Sequence, residues 1–114
     1  MNTAESVRQL TRERALTLCE RCGRPGHDVH HRRPRQMGGT QAPSVHSVTN
    51  TVLLCRACHA WAERYREAAY RDGWLVHSWD DPARIPIIPY LYRQTCWLDE
   101  HGGYVLYPPE SDQP

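Results

Sequence analysis

Apolar side chains recur at helical spacing in two stretches of the chain. The first stretch, residues 4–18, predicts a helix with one face shared by four side chains: Val7, Leu10, Arg14 and Leu18. The second stretch, residues 55–71, predicts a longer helix with a buried stripe of four side chains: Ala57, Trp61, Tyr65 and Ala68. Asp72 and Gly73 mark its end, because glycine readily adopts the backbone conformation that terminates a helix.

Between the two predicted helices, short apolar runs flanked by turn residues indicate two strands. Residues 28–32 predict the first strand, which Pro34 ends, and residues 51–54 predict the second. Residues 36–48 are rich in Gly, Pro, Ser and Thr and predict a surface loop between the strands. A loop of this length in a small domain is often functional.

After Gly73 the pattern becomes extended and is interrupted by prolines. Residues 74–79 predict a strand, and residues 95–98 with residues 104–107 predict a hairpin. The final residues, 108–114, predict a disordered tail. This part of the chain therefore predicts a β-rich extension.

The composition indicates one small domain that needs additional stabilisation. A chain of 114 residues supports one modest core, yet only 39% of its residues are hydrophobic and Phe is absent. No apolar run approaches the ~20 residues of a membrane helix. The N-terminal residues lack the basic start and apolar stretch of a signal peptide. We therefore expect a cytoplasmic protein with no membrane partner.

Positive charge is concentrated in the first part of the chain. The formal net charge is +1, but residues 1–40 contain eight Arg against four acidic residues, whereas residues 72–114 contain two Arg against seven. Arg suits contact with phosphate groups because its planar guanidinium can donate two hydrogen bonds to one phosphate. A solvated charged face gives the same pattern, so the asymmetry alone points only weakly to nucleic acid.

The cysteines indicate a metal site. Four of the five form two Cys-x2-Cys pairs, Cys19 with Cys22 and Cys55 with Cys58. In a reducing cytosol such pairs are metal ligands more often than disulfides, and four thiolates around one ion form a structural Zn²⁺ site. Residues 23–54 between the pairs hold the predicted hairpin, and the second pair enters the predicted helix. This order predicts a treble-clef zinc finger, whose folding depends on the metal.

Inside the predicted finger lie four residues that suit phosphodiester hydrolysis: His30, His31, Asn50 and His59. Hydrolysis of a phosphodiester needs an activated water, a cation beside the phosphate and stabilisation of the departing 3′ oxygen. A neutral His is a suitable base for the water, and imidazole is a common ligand of divalent metal ions. The residue types that this chemistry requires are therefore all present.

The same region resembles a known family. The runs DVHHRRP at 28–34, GG at 38–39 and NTVLLCRACH at 50–59 resemble the HNH endonucleases of the four-cysteine type. They are most similar to the small versions encoded by bacteriophages and their bacterial hosts. The resemblance begins at the first cysteine and extends to about residue 63. It implies the ββα-metal motif of that family.

The resemblance also implies a role for each of the four residues. His31 would be the general base, and His30 and His59 would hold a catalytic divalent ion. Asn50 would pin the hairpin and orient the base or, as in some relatives, reach the metal. Adjacent residues of a regular strand point to opposite faces, so we expect the strand to end or bulge at His30 and His31.

One position departs from the family pattern. Many relatives have another His four residues after the helix His, where this chain has Glu63. His59 and Glu63 share a helix face and could bind the ion together. A carboxylate favours Mg²⁺ or Mn²⁺ as the catalytic metal over Ni²⁺ or Zn²⁺. Alternatively, Glu63 faces solvent and pairs with Arg56 or Arg66.

Three arginines follow the paired histidines and are candidates for binding DNA phosphates: Arg32, Arg33 and Arg35. Phosphate contacts position a duplex without reading its sequence, so we expect salt-sensitive binding with weak sequence preference. His27 and His46 lie in predicted loops nearby and are more typical of solvated residues.

These features together predict an α+β fold, namely a small treble-clef zinc finger with a ββα-metal motif, an N-terminal helix and a C-terminal β-rich extension. The predicted divisions are the helix at 1–18, the finger at 19–73, the extension at 74–107 and the tail at 108–114. The expected function is metal-dependent hydrolysis of DNA, by nicking or by double-strand cutting. Two alternatives remain, a nucleic-acid-binding module without catalysis and a packaging accessory that acts with a phage terminase.

Overall fold

The fold is α+β, as the sequence predicts, with two small antiparallel sheets among short helices. The structure is a computed structural model that describes residues 4–34 and 47–109. Its helices and strands are, in chain order, α1 (Ala4–Arg14), β1 (Asp28–His31), β2 (Thr51–Leu54), α2 (Arg56–Arg64), α3 (Arg66–Arg71), β3 (Trp97–Leu98) and β4 (Tyr104–Val105). Two short 3₁₀ turns are Val48–Asn50 and Pro82–Arg84. None of the helices in these two ranges is both long and apolar enough to cross a membrane.

The central hairpin pairs β1 with β2 in antiparallel register, from Asp28 opposite Leu54 to His31 opposite Thr51. The predicted second strand is confirmed, and the first is one residue shorter than predicted. All four residues of β2 are buried, because α1 and α2 both pack against this strand. The hairpin is followed directly by α2, which gives the predicted ββα order.

The first helix is shorter than predicted and ends at Arg14. Leu16 and Thr17 have φ angles of 54° and 61°, so the backbone leaves the helical conformation before the predicted end at residue 18. The buried side chains of α1 are Val7, Thr11 and Arg14. Leu16 is 63% exposed and lies outside the core.

The second predicted helix is divided into α2 and α3 at Tyr65, where the backbone has φ −111° and ψ 64°. The prediction of the buried stripe is wrong, because the buried positions lie about one residue further along the chain than predicted. Ala57 and Tyr65 are exposed, and the buried side chains are Cys58, Ala62 and Ala69. The reason is that Cys58 turns its thiol inward toward Cys19, Cys22 and Cys55. This orientation fixes the face that α2 presents to the core.

The C-terminal extension packs on the same core. Residues 74–79 do not form the predicted strand, although Trp74, Leu75 and Val76 are buried and the Val76 N–H donates to the Arg32 carbonyl at 2.8 Å. The predicted hairpin is confirmed as β3 paired with β4, with two residues in each strand. The rest of the described extension is mainly irregular, because prolines interrupt the backbone pairing.

A buried ion pair connects the parts of the fold. Arg14 donates two hydrogen bonds to Glu20, at 3.0 and 2.9 Å, and a third to the Thr51 carbonyl at 2.6 Å. Glu20 also accepts from the Leu53 N–H at 2.8 Å and from the Tyr104 hydroxyl. The two charges are fully enclosed, and each has several partners, so α1, β2 and β4 are held in one arrangement.

Candidate functional site

The four predicted cysteine ligands come together in one cluster. Cys19 and Cys22 lie in the turn before β1, and Cys55 and Cys58 lie at the start of α2. All four Sγ atoms are within 4.8 Å of one another, and those of Cys22 and Cys55 are 3.7 Å apart. Tetrahedral zinc with Zn–S bonds of about 2.3 Å separates its sulfurs by about 3.8 Å. The cluster is therefore compatible with a structural metal such as zinc.

Hydrogen-bond donors surround the sulfurs. The N–H groups of Cys22 and Cys58 each donate at 3.4 Å to the first sulfur of their pair, Cys19 and Cys55 respectively. The Arg21 guanidinium donates to the Cys58 Sγ at 3.2 Å. Burial nevertheless raises the pKa of Cys58 to about 12. Four neighbouring thiols do not ionise together without a compensating cation, and a divalent metal supplies that charge.

A glycine closes the first cysteine turn. Gly23 has a φ of +85°, and a Cβ placed there would lie 2.6 Å from the Tyr90 ring. The Tyr90 N–H donates to the Glu20 carbonyl at 2.7 Å. The turn that carries Cys19 and Cys22 is therefore fixed against the C-terminal extension, and any larger residue at position 23 would displace it.

A second group of polar side chains lies between β1 and α2. His59, in the first turn of α2, has its Nδ1 3.1 Å from Asp28 Oδ2 and its Nε2 3.5 Å from Glu63 Oε2. The rings of His30 and His59 are 5.0 Å apart between centroids, with an edge-on orientation. Asp28 and His30 are two residues apart and share one face of β1. The structure therefore brings together the predicted residues His30, His59 and Glu63.

His30 is held in one protonation state. It is buried, and its Nε2 lies 3.0 Å from the Trp74 carbonyl oxygen. Because a carbonyl only accepts, Nε2 carries the proton and Nδ1 keeps its lone pair. Burial lowers the pKa of His30 to about 4, so the ring is neutral at pH 7. A neutral imidazole with one N–H fixed by a carbonyl is typical of a metal-binding His.

The donor atoms of this second group are close but not fully convergent. Groups of three or more His, Cys, Asp or Glu side chains can hold a metal ion when their donor atoms converge. Within residues 4–34 and 47–109, the cysteine quartet is the one such group whose donor atoms all lie within 4.8 Å of one another. His59 contacts its neighbours in pairs instead, with Asp28 on one nitrogen and Glu63 beside the other.

His31 and Asn50 lie where β1 ends. The pairing of β1 with β2 is unbroken up to His31, so the strand ends there without a bulge, and His30 and His31 occupy opposite faces. Asn50 is fully buried, and its Oδ1 accepts from the Arg33 N–H at 2.7 Å. Its carbonyl accepts from the Arg32 N–H at 2.7 Å. Asn50 therefore fixes the bend that follows His31.

The prediction that Arg32 binds DNA is wrong. The side chain is fully buried, and its guanidinium donates to four backbone carbonyls, those of Gly73, Thr49, Pro82 and Ile85, at 2.9, 2.8, 3.0 and 2.6 Å. Burial lowers its pKa to about 9, which leaves it charged at pH 7. Arg32 holds the extension against the finger, so its charge is not available to a phosphate.

Two other predicted arginines and two histidines have different outcomes. Arg33 is half-buried and donates to the Asp80 carbonyl at 3.0 Å. Arg35 and His46 lie outside the described residues. His27 is exposed.

Sequence reasoning missed three residues around His59. An open groove is lined by Asp28, Arg56, His59, Ala60, Glu63 and Arg64. Arg56 and Arg64 are exposed at its edge and supply positive charge beside the carboxylates. A local signal existed for two of them, because Asp28 shares its strand face with His30 and Arg56 is one helical turn before His59.

Comparison with known proteins gives one match. Residues 19–61 match the family model of the HNH endonucleases. No curated protein and no solved structure matches the chain. The matched segment begins at Cys19, contains the hairpin and the cysteine cluster, and ends inside α2. Residues 19–61 of this chain are therefore similar to the HNH endonucleases, and their cysteine cluster is consistent with the four-cysteine type.

Proposed function

We propose that the protein is a metal-dependent endonuclease that hydrolyses phosphodiester bonds of DNA. The observation that supports this most strongly is the group formed by Asp28, His30, His59 and Glu63 between β1 and α2, inside the HNH domain. His59 and the two carboxylates line an open groove, and the buried ring of His30 lies behind them, beside His59. A domain used only for binding has no need of this set.

His30, His59 and Glu63 are the proposed ligands of a divalent ion. Two imidazoles that share one ion through N–metal bonds of about 2.1 Å place their ring centroids roughly 4.6–5.3 Å apart. The separation of 5.0 Å between His30 and His59 fits this range. The carboxylate of Glu63 favours Mg²⁺ or Mn²⁺ over softer metals, which would be Ni²⁺ or Zn²⁺. The ion would neutralise charge that develops on the scissile phosphate.

The neighbours of these ligands prepare them for binding. Asp28 holds Nδ1 of His59, which leaves Nε2 facing Glu63. The Trp74 carbonyl holds Nε2 of His30, which leaves Nδ1 unprotonated. Such outer partners fix the tautomer of a ligand His and raise its basicity. Asp28 is thus proposed as a positioning residue for His59.

His31 is the proposed general base. It ends β1 beside the bend that Asn50 fixes, and it is half-buried, so a water molecule can reach it. An imidazole accepts the proton of the attacking water near neutral pH. Phosphates on either side of the cleaved bond would contact the positive charges of Arg33, Arg56 and Arg64.

Cleavage of a supercoiled plasmid tests the proposal. The full chain, loaded with zinc, is incubated with the plasmid and added Mg²⁺, Mn²⁺ or Ni²⁺, beside His31→Ala and the matched control His101→Ala, which changes an exposed turn residue. We expect wild type and the control to cleave and His31→Ala to fold normally but lose cleavage. Equal cleavage by all three would remove His31 from its role.

The alternative of a binding module makes a different prediction in the same assay. A protein that binds DNA but cleaves it with none of the three metals would support that alternative and contradict the proposal. The expected role beside a phage terminase stays a prediction.

A further inference from the structure

Three aromatic rings, one from α3 and two from the C-terminal extension, form a parallel stack. The rings of Tyr70 and His77 are 3.9 Å apart between centroids and within 3° of parallel. The rings of His77 and Trp79 are 4.5 Å apart and within 5° of parallel. Trp79, at the outer end, is 76% exposed although one of its faces lies on His77. Its other face is therefore open to solvent.

The stack is fixed close to the end of β1. The Trp74 carbonyl contacts Nε2 of His30, and the Val76 N–H donates to the Arg32 carbonyl. The Arg33 guanidinium then donates to the Asp80 carbonyl at 3.0 Å. Residues 74–80 thus run alongside residues 30–33 and are hydrogen-bonded to them at three positions. The segment that carries Trp79 is therefore hydrogen-bonded to the segment that contains His31.

We propose that the open face of Trp79 stacks on an unpaired base of a DNA strand. The inference rests on the proposed function for its choice of DNA as the ligand. A flat, preformed ring stack offers the surface on which successive bases of single strands pack, and it does so without sequence preference. In an intact duplex both faces of a base are covered by neighbouring pairs, so the ligand must be a single-stranded, frayed or flipped base.

The charges around Trp79 indicate what kind of contact this is. Asp80 and Asp81 follow it directly, Arg84 lies 3.9 Å from Asp81, and Arg33 donates to the Asp80 carbonyl, so acidic and basic groups offset one another beside the stack. The contribution of Trp79 to binding therefore comes from stacking and not from charge. Binding of the whole protein to DNA should weaken with salt, because arginines elsewhere release counterions, whereas the part due to Trp79 should not.

Fluorescence anisotropy with labelled oligonucleotides tests the inference. The zinc-loaded full chain, without any other divalent metal, is titrated into a labelled oligothymidine of about 16 nucleotides and into a duplex of equal length. We expect Trp79→Ala to weaken single-strand binding about tenfold or more and duplex binding less than about twofold. Trp79→Phe should retain most of the affinity. Tyr107→Ala, which removes another ring that is 70% exposed, should behave as wild type.

Salt and cleavage separate the possible failures. The ratio of wild-type to Trp79→Ala affinity should stay constant between about 50 and 200 mM salt. Unchanged single-strand affinity in Trp79→Ala, or a ratio that collapses with salt, would overturn the inference even if the wild type cleaves plasmid. A Trp79-dependent single-strand affinity in a protein that never cleaves DNA would support the inference and refute only the nuclease.

Discussion

Arg32 provides the sharpest test of how the finger and the extension are joined. Its guanidinium is fully buried, has no carboxylate among its four hydrogen-bond partners and donates to carbonyls from three separate parts of the chain. We predict that Arg32→Leu destabilises the whole protein, because it leaves three buried carbonyl oxygens and one part-buried carbonyl oxygen without their donor. The expected effect is on folding and not on DNA contact.

The magnitude follows from the number of bonds that are lost. Removing one partner from a buried charged network costs about 3–5 kcal/mol. The total free energy of unfolding of a small domain is about 5–15 kcal/mol, so this is a large share of it. For a chain of this size such a loss lowers Tm by roughly 10–25 °C. Arg32→Lys should recover only part of the stability, because an ammonium has three donors and lacks the planar geometry.

Thermal unfolding followed by circular dichroism, with excess zinc, measures this effect. Arg33→Leu is the matched control, since Arg33 is half-buried and donates to the Asp80 carbonyl, whereas Arg32 is fully buried. It should lose less stability than Arg32→Leu but weaken DNA binding. If Arg32→Leu unfolded at the wild-type temperature and lost DNA binding selectively, the structural role of Arg32 would be refuted.

Three further predictions follow from the buried groups. Removal of the metal from the cysteine quartet by a strong chelator should abolish cooperative unfolding, and added zinc should restore it; unchanged unfolding after verified metal loss would contradict this. Between pH 6.5 and about 4 the unfolded chain protonates His30 while the folded chain does not. Stability should therefore fall by up to about 3 kcal/mol as pH is lowered through this range. Urea unfolding of His30→Asn should show a weaker pH dependence than wild type, and equal slopes would refute this origin. Tyr104→Phe, which removes a donor to Glu20, should cost about 1–3 kcal/mol in the same assay, whereas Tyr107→Phe should cost nothing measurable.

Local pattern was sufficient for the elements that local chemistry controls. β2 was predictable because a short apolar run that follows turn residues is typical of a buried strand. The cysteine pairs were predictable because their spacing places two sulfurs on one ion. The stripe of α2 was not, since Cys58 and the cluster set the rotation of the helix and the apolar spacing alone favoured Ala57 and Tyr65.

Contacts between distant parts of the chain account for what sequence reasoning missed. Arg32 stands in an Arg-rich run beside paired histidines, and no local feature marks it as the one that is buried by residues from 49 to 85. The contact between the Trp74 carbonyl and His30 could not be predicted from the sequence either, because this contact forms only when the extension packs against β1. Asp28 was accessible, since it shares a strand face with His30.

The proposed nuclease needs two different ions, one enclosed by four sulfurs and one exchangeable beside His30 and His59. The most direct test is a titration of Mn²⁺ into the zinc-loaded chain, followed by electron paramagnetic resonance, with zinc content measured in the same samples. We predict that the wild type binds Mn²⁺ and that His59→Ala loses this binding while keeping its zinc. Equal Mn²⁺ binding by both proteins, or none by the wild type, would contradict the proposed catalytic site.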